Sequence, residues 1–90
     1  MQLDGLTSDV SEGGCCVMTR RAPFSPGTRI LLQITKTGVS LSTYATVIYN
    51  LKDEVMGLCF EDMPLDQSSI LDRWIKAAIP IAHRDRARVP

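Results

Sequence analysis

The sequence predicts a mainly β fold, a small antiparallel β-barrel followed by one C-terminal α-helix. Two observations carry this prediction. Apolar residues recur at every second position as far as Glu61, and they recur at helical spacing after it. Turn-rich breaks separate the alternating runs, as in antiparallel strands joined by hairpins. Strands followed by one amphipathic helix are typical of a curled sheet with the helix laid across its opening.

The predicted strands are clearly separated by turns. After Gly13-Gly14 comes the run C-C-V-M-T, and the turn P-F-S-P-G separates it from T-R-I-L-L-Q-I-T-K. Thr37-Gly38 is typical of a hairpin turn into V-S-L-S-T-Y-A-T-V-I-Y-N, so these two strands are expected to pair. A last turn, L-K-D-E, leads into V-M-G-L-C-F-E, where Gly57 indicates a bulge or a close backbone approach.

The segment after the last strand is predicted as a helix. Pro64 suits a first helical turn, and Asp62 is available as its cap. Apolar residues then repeat at helical spacing: Leu71, Trp74, Ile75 and Ala78. Pro80 is expected to end or kink this helix. We therefore assign residues 1–80 to a barrel plus helix and residues 81–90 to a basic C-terminal tail.

Composition limits the possible classes of function. Ninety residues form one small domain. Ten Lys and Arg balance ten Asp and Glu, so net charge does not recruit a nucleic acid polymer or a membrane surface. The apolar runs are far shorter than the about 20 residues of a spanning helix, and the N-terminus has no signal-peptide pattern. We expect a cytoplasmic protein without membrane insertion.

The cysteines and the single histidine argue against catalysis, disulfides and metal binding. Adjacent Cys15 and Cys16 would point to opposite faces of a strand, and Cys59 is distant, so we interpret all three as reduced thiols, at least one of them in the core. Their spacing lacks the paired C-x-x-C that chelation favours. His83 lies in the predicted tail. We predict no enzyme, no metal and no cofactor.

The stretch D-V-S-E-G-G, residues 9–14, holds the candidate binding site. Asp9 and Ser11 lie on the same side of an extended backbone, and glycine leaves the loop without bulk. A carboxylate beside a hydroxyl can accept hydrogen bonds from the ring N–H and exocyclic amine of guanine. The alternative is a purely structural turn, in which Asp9 and Ser11 bond nearby N–H groups while Gly13 and Gly14 supply positive φ.

The motif D-x-S-x-x-G, formed here by Asp9, Ser11 and Gly14, resembles the signature of PilZ domains, bacterial receptors for cyclic di-GMP. The later stretch A-T-V-I-Y-N-L-K-D-E-V-M-G-L-C-F-E-D-M is similar to the later part of the family pattern. Four residues fall where that pattern has them: Ala45, Val47, Gly57 and Phe60. The resemblance implies a PilZ-like barrel in cyclic di-GMP signalling, with Asp9, Ser11, Gly13 and Gly14 at the ligand.

One part of the family pattern has no counterpart in residues 1–8. PilZ domains carry an R-x-x-x-R segment there, whose arginines grip phosphates and guanine, whereas these eight residues contain no basic side chain. The resemblance therefore implies either weakened affinity or an adaptor that no longer binds nucleotide and acts through protein contacts. Arg84, Arg86 and Arg88 reproduce the spacing in the tail and are the candidate phosphate-binding residues; a solvated tail is the alternative.

The same departure predicts a barrel that is one strand short. A missing strand leaves an unpaired edge, and exposed edges are commonly covered by another chain. We therefore expect a homo-oligomer formed through that strand edge. The sequence names no other protein partner.

Overall fold

The computed structural model describes residues 2–19, 24–52, 54–77 and 83–88. This part of the chain contains six strands and one helix: β1 (Gln2–Ser8), β2 (Gly14–Met18), β3 (Arg29–Lys36), β4 (Val39–Leu51), β5 (Val55–Glu61), α1 (Leu65–Lys76) and β6 (His83–Arg88). Neighbouring strands pair antiparallel in the order β1-β2-β5-β4-β3-β6, and the sheet closes into a barrel. The predicted β-barrel with a helix is confirmed.

One face of each central strand fills the barrel. Along β3 the buried residues are Ile30, Leu32 and Ile34, each separated by a more exposed neighbour, which is the alternation that the pleat of a strand imposes. The core cluster contains Cys15, Val17, Phe24, Ile30, Leu32, Ile34, Leu41, Ala45, Val47, Met56, Leu58 and Leu71. Cys15 is thus the core thiol that the sequence predicted, and all three cysteines are free.

The two predicted β-turns around β4 are confirmed. Lys36 pairs with Val39, and the two residues between them, Thr37 and Gly38, have φ of 50° and 80°. Positive φ at both central positions is the geometry whose twist matches that of a tight hairpin. At the other end of β4, Leu51 pairs with Val55 across the turn.

The helix α1 lies against the barrel through a few apolar side chains. Leu71 is buried in the core, and Ile70, Trp74 and Ile75 pack against it half-buried. The Gln67 side-chain oxygen accepts a hydrogen bond from the Ser42 N–H at 2.7 Å, which fixes the helix to β4. Within the described ranges no helix is long and apolar enough to cross a membrane.

The start of α1 differs from the prediction. Pro64 occupies the cap position, and no side chain caps the first turn. Asp62 adopts a left-handed conformation with φ of 50°, and its carboxylate pairs with Arg29 at 3.4 Å. The predicted Asp62 cap is wrong because this carboxylate is held by β3. Ala78 and Pro80 lie outside the described residues.

The open edge predicted for the barrel is also wrong. Strand β6 lies between β1 and β3, with Leu6 opposite Arg84 on one side and Gln33 opposite Arg86 on the other. Residues 83–88, predicted as part of a basic tail, therefore complete the sheet. The sequence H-R-D-R-A-R has no apolar alternation, so it carries no strand signal, whereas strand pairing needs only backbone N–H and C=O groups. Homo-oligomer formation stays a prediction, but the open strand edge from which it was argued does not occur in the described sheet.

Candidate functional site

The corner between β1 and β2, residues 9–14, is a tight loop held by its own backbone. The Ser11 N–H donates to the Gly14 carbonyl at 2.9 Å, and the Ser11 hydroxyl donates to the same oxygen at 3.3 Å. Asp9 enters the loop in the left-handed region, with φ of 51°. Gly13 and Gly14 do not have positive φ, so the predicted conformational reason for these glycines is wrong.

Gly14 is required by a close approach of two strands. A Cβ atom at this position would collide with the backbone carbonyl of Leu58 on β5. The Phe60 N–H donates to the Gly13 carbonyl at 2.9 Å, which ties the corner to the same strand. By contrast, a Cβ at Gly13 would meet nothing within 4 Å. The second glycine thus lets the corner sit directly on β5.

The corner opens into a groove of about 280 Å³ on the outer face of the barrel. Its walls come from the corner and from β2, β4 and β5: Asp9, Ser11, Gly13, Gly14, Cys15, Cys16, Ile48, Tyr49, Gly57, Leu58 and Cys59. The structure therefore brings together all four predicted ligand-binding residues. Among the described residues that line this groove, none is cationic.

Asp9 and Ser11 present hydrogen-bond acceptors at the mouth of the groove. Both residues are exposed. Within the described part of the chain, the Asp9 carboxylate has no hydrogen-bond partner, and the Ser11 hydroxyl uses its proton on Gly14 while keeping its acceptor lone pairs. The arrangement can accept hydrogen bonds from a donor pair on a planar ligand.

Tyr49 lines the groove, although the alternation along V-S-L-S-T-Y-A-T-V-I-Y-N would place it on the buried face of β4. Val47 pairs with Leu58 and Tyr49 with Gly57, so Ile48 is an extra residue, a β-bulge in β4. The bulge turns Tyr49 away from the barrel interior. Its ring lies against Gly57, where a Cβ would collide with it, and 38% of the residue remains exposed. The sequence feature that indicates this arrangement is Gly57, a glycine within the strand pattern of β5.

A hydrogen bond to β2 holds the Tyr49 hydroxyl. The Cys16 sulfur and the Tyr49 oxygen are 3.2 Å apart. This hydrogen bond, and then charge on the Cys16 sulfur, raise the pKa of the Tyr49 phenol; partial desolvation and the Asp9 carboxylate act in the same direction. Tyr49 is therefore a neutral aromatic side chain at neutral pH, fixed beside Asp9.

The candidate phosphate-binding arginines do not belong to the described lining of the groove. Their backbone positions in β6 are opposite β1: Arg84 faces Leu6, Arg86 faces Asp4 and Arg88 faces Gln2. Because β1 runs from Gln2 towards Asp9, Arg84 has the backbone position nearest the corner of these three arginines. Arg88 lies four residues further away, about 13 Å along the strand.

No metal site is visible in the described residues. No group of three or more His, Cys, Asp or Glu side chains there could hold a metal ion. Cys16 and Cys59 line the groove, and the side chain of His83, the single histidine of the sequence, lies outside the described side chains. The site is a surface groove of acceptors, glycine and one aromatic ring, which has the properties of a binding site.

The fold is a small closed six-stranded barrel with one helix, and an acidic, glycine-rich corner lies beside a groove on its outer face. The family model for the PilZ domain matches residues 2–77, and the chain belongs to this family. PilZ domains form a family of cyclic di-GMP receptors, a class of binding and adaptor domains. Neither the curated proteins nor the solved structures gave a significant match.

Proposed function

We propose that this chain binds cyclic di-GMP in the groove beside the Asp9 corner, with reduced affinity. The observation that carries the proposal is the meeting of Asp9, Ser11 and the exposed Tyr49 ring in one groove. The Asp9 carboxylate and the Ser11 oxygen accept hydrogen bonds from the N–H groups of a guanine edge. Gly13 leaves room for the base to approach the backbone, because a Cβ at this position would meet nothing within 4 Å.

Tyr49 supplies a stacking surface for the guanine. Its ring is fixed on one side by Gly57 and at its hydroxyl by Cys16, so the ring is already oriented before ligand binds. Stacking of a base on an aromatic side chain contributes about 1–3 kcal/mol. A preoriented ring loses little side-chain entropy when the base is bound.

The phosphate groups of cyclic di-GMP are the groups whose binding in this groove is least favourable. No described lining residue is cationic, and Asp9 itself repels phosphate. Arg84 is the candidate that lies nearest the corner in the barrel sheet, while Arg86 and Arg88 lie progressively further along β6. We therefore assign the first phosphate contact to Arg84 and expect affinity to fall as salt is raised.

Titration calorimetry with cyclic di-GMP tests the proposal. Saturable heat is expected, and Asp9→Ala should weaken binding by about 10-fold or more, because a hydrogen bond to a charged acceptor is lost. Arg84→Ala should weaken binding clearly more than Arg88→Ala, the matched control on the same strand. Cyclic di-AMP lacks the guanine donors and should bind more weakly. Absence of heat at high concentration, or equal binding by Asp9→Ala, contradicts the proposal.

A second candidate is an adaptor that retains the barrel and binds protein instead of nucleotide. The lack of a cation among the described lining residues favours it. So does a second groove of about 330 Å³ between the corner and α1, which Glu12, Phe60, Met63 and Leu65 help to line. Leu65 is 83% exposed there. This candidate predicts no heat with cyclic di-GMP from a folded chain.

A further inference from the structure

A row of apolar side chains crosses the outer face of the barrel next to the ligand groove. Strand pairing aligns Leu6 with Met18, Met18 with Val55, and Val55 with Leu51, so four neighbouring strands each contribute one residue. Leu6, Met18 and Leu51 are 44%, 46% and 55% exposed. Adjacent strands are about 4.8 Å apart, so the row is about 14 Å wide. Contiguous exposed apolar surface of this kind commonly marks an interaction site.

The bulge in β4 creates this row. Leu41, Thr43, Ala45 and Val47 face the interior at every second position. A regular strand would continue inward at Tyr49 and Leu51. The extra residue Ile48 reverses the alternation, so Tyr49 and Leu51 lie on the outer face with Gly57 and Val55. Ile48 is itself 55% exposed beside them.

The row is self-complementary under a two-fold rotation. An axis in the plane of contact, crossing the row between Met18 and Val55, places Leu6 of one copy on Leu51 of the other and Met18 on Val55. A C2 interface requires this match of one surface with itself. No charged residue interrupts the row, so a dimer would not bury an unpaired charge at its centre.

The charges beside the row agree with the same rotation. Asp4 precedes Leu6 on the outer face of β1, and Lys52 follows Leu51 in the turn after β4; both are exposed. Because β1 and β4 run in opposite directions, Asp4 and Lys52 lie on the same side of the row. The rotation therefore brings Asp4 of each copy towards Lys52 of the other. Opposite charges at the rim of an interface favour the correct orientation.

We propose that a second copy of this chain docks on the row Leu6–Met18–Val55–Leu51, face to face, as a two-fold dimer. This interface uses the outer surface of a closed barrel. It differs from pairing through an open strand edge, which the closed sheet does not offer.

Sedimentation velocity over a concentration series tests the dimer. The chain should pass from monomer to dimer as concentration rises to the millimolar range. Met18→Lys and Leu51→Lys should each raise the Kd by about 10-fold or more, because each puts a charge into the apolar contact. Lys52→Glu should weaken the dimer by a smaller factor, since it faces Asp4 of the second copy.

Val39→Lys is the matched control. Val39 is 45% exposed on β4, the strand of Leu51, but it lies at the hairpin end, far from the row. The dimer Kd of Val39→Lys should therefore equal that of the unchanged chain. Circular dichroism checks that every variant is folded, as expected for substitutions of exposed side chains. A wild-type chain that is monomeric at all concentrations overturns the proposal. A dimer that Met18→Lys and Leu51→Lys leave intact, or that Val39→Lys disrupts equally, overturns it as well.

Discussion

At the scale of single residues, the two glycines of the corner have different physical roles. Gly14 packs against the Leu58 carbonyl, whereas Gly13 has open space around its Cα. Gly14→Ala must separate β2 from β5 and should lower the free energy of unfolding by about 1–3 kcal/mol. Gly13→Ala is the control and should change it by less than about 0.5 kcal/mol. Urea denaturation measures both, and equal effects of the two variants would contradict the packing argument.

The pKa of the Tyr49 phenol can be measured as a probe of the contacts in the groove. Its phenol pKa is raised mainly by Cys16, so Cys16→Ala should lower that pKa towards the ordinary value. Because the raised pKa favours the protonated phenol in the folded chain, its contribution to stability is complete at neutral pH and is lost as pH rises through the raised value. Alkaline absorbance titration in a Tyr44→Phe background, where Tyr49 is the one tyrosine left, measures the shift. An unchanged pKa in Cys16→Ala would assign the effect elsewhere.

At the scale of elements, the bulge in β4 decides which residues reach the groove. Deleting Ile48 leaves Val47 inward and Tyr49 outward in a regular ladder, so the deletion variant should fold, with a loss of about 0.5–3 kcal/mol. Deleting Tyr44 in the same strand should prevent folding, because it turns either Leu41 and Thr43 or Ala45 and Val47 away from the core. Thermal unfolding followed by circular dichroism distinguishes the two deletions. Equal stability of both variants would show that register in β4 is not set by these side chains.

At the scale of the whole molecule, β6 closes the barrel between β1 and β3. Removing residues 78–90 would expose the backbone groups of both strands, and we expect a lower melting temperature and concentration-dependent aggregation. Removing only residues 89 and 90 leaves β6 in place and serves as the control. Differential scanning fluorimetry with light scattering records both effects. A truncated chain as stable and monodisperse as the control would show that the strand adds little.

The candidate site was partly predictable from local sequence. Asp9, Ser11, Gly13 and Gly14 are close along the chain, so a turn alone brings them together, and the four of them line the same groove. Tyr49 joins them from β4 through the Ile48 bulge. The sequence of β4 shows the alternation of buried and exposed residues but not the position of a bulge. Because the bulge shifts this alternation by one residue, the outward position of Tyr49 could not be derived from β4 alone.

The sequence by itself determined the β-rich class, the hairpin at Thr37 and Gly38, the core face of β3 and the composition of the acidic corner. These features depend on neighbouring residues, because side-chain periodicity and turn conformation are local properties of the chain. Tertiary structure alone decided that H-R-D-R-A-R closes the barrel, that Gly14 serves strand contact, and that Leu6, Met18, Val55 and Leu51 form one surface. Each of these features depends on pairing between strands that are distant in sequence. Such pairs form through backbone N–H and C=O groups, which almost every residue type carries, so the residue types do not reveal which strands pair.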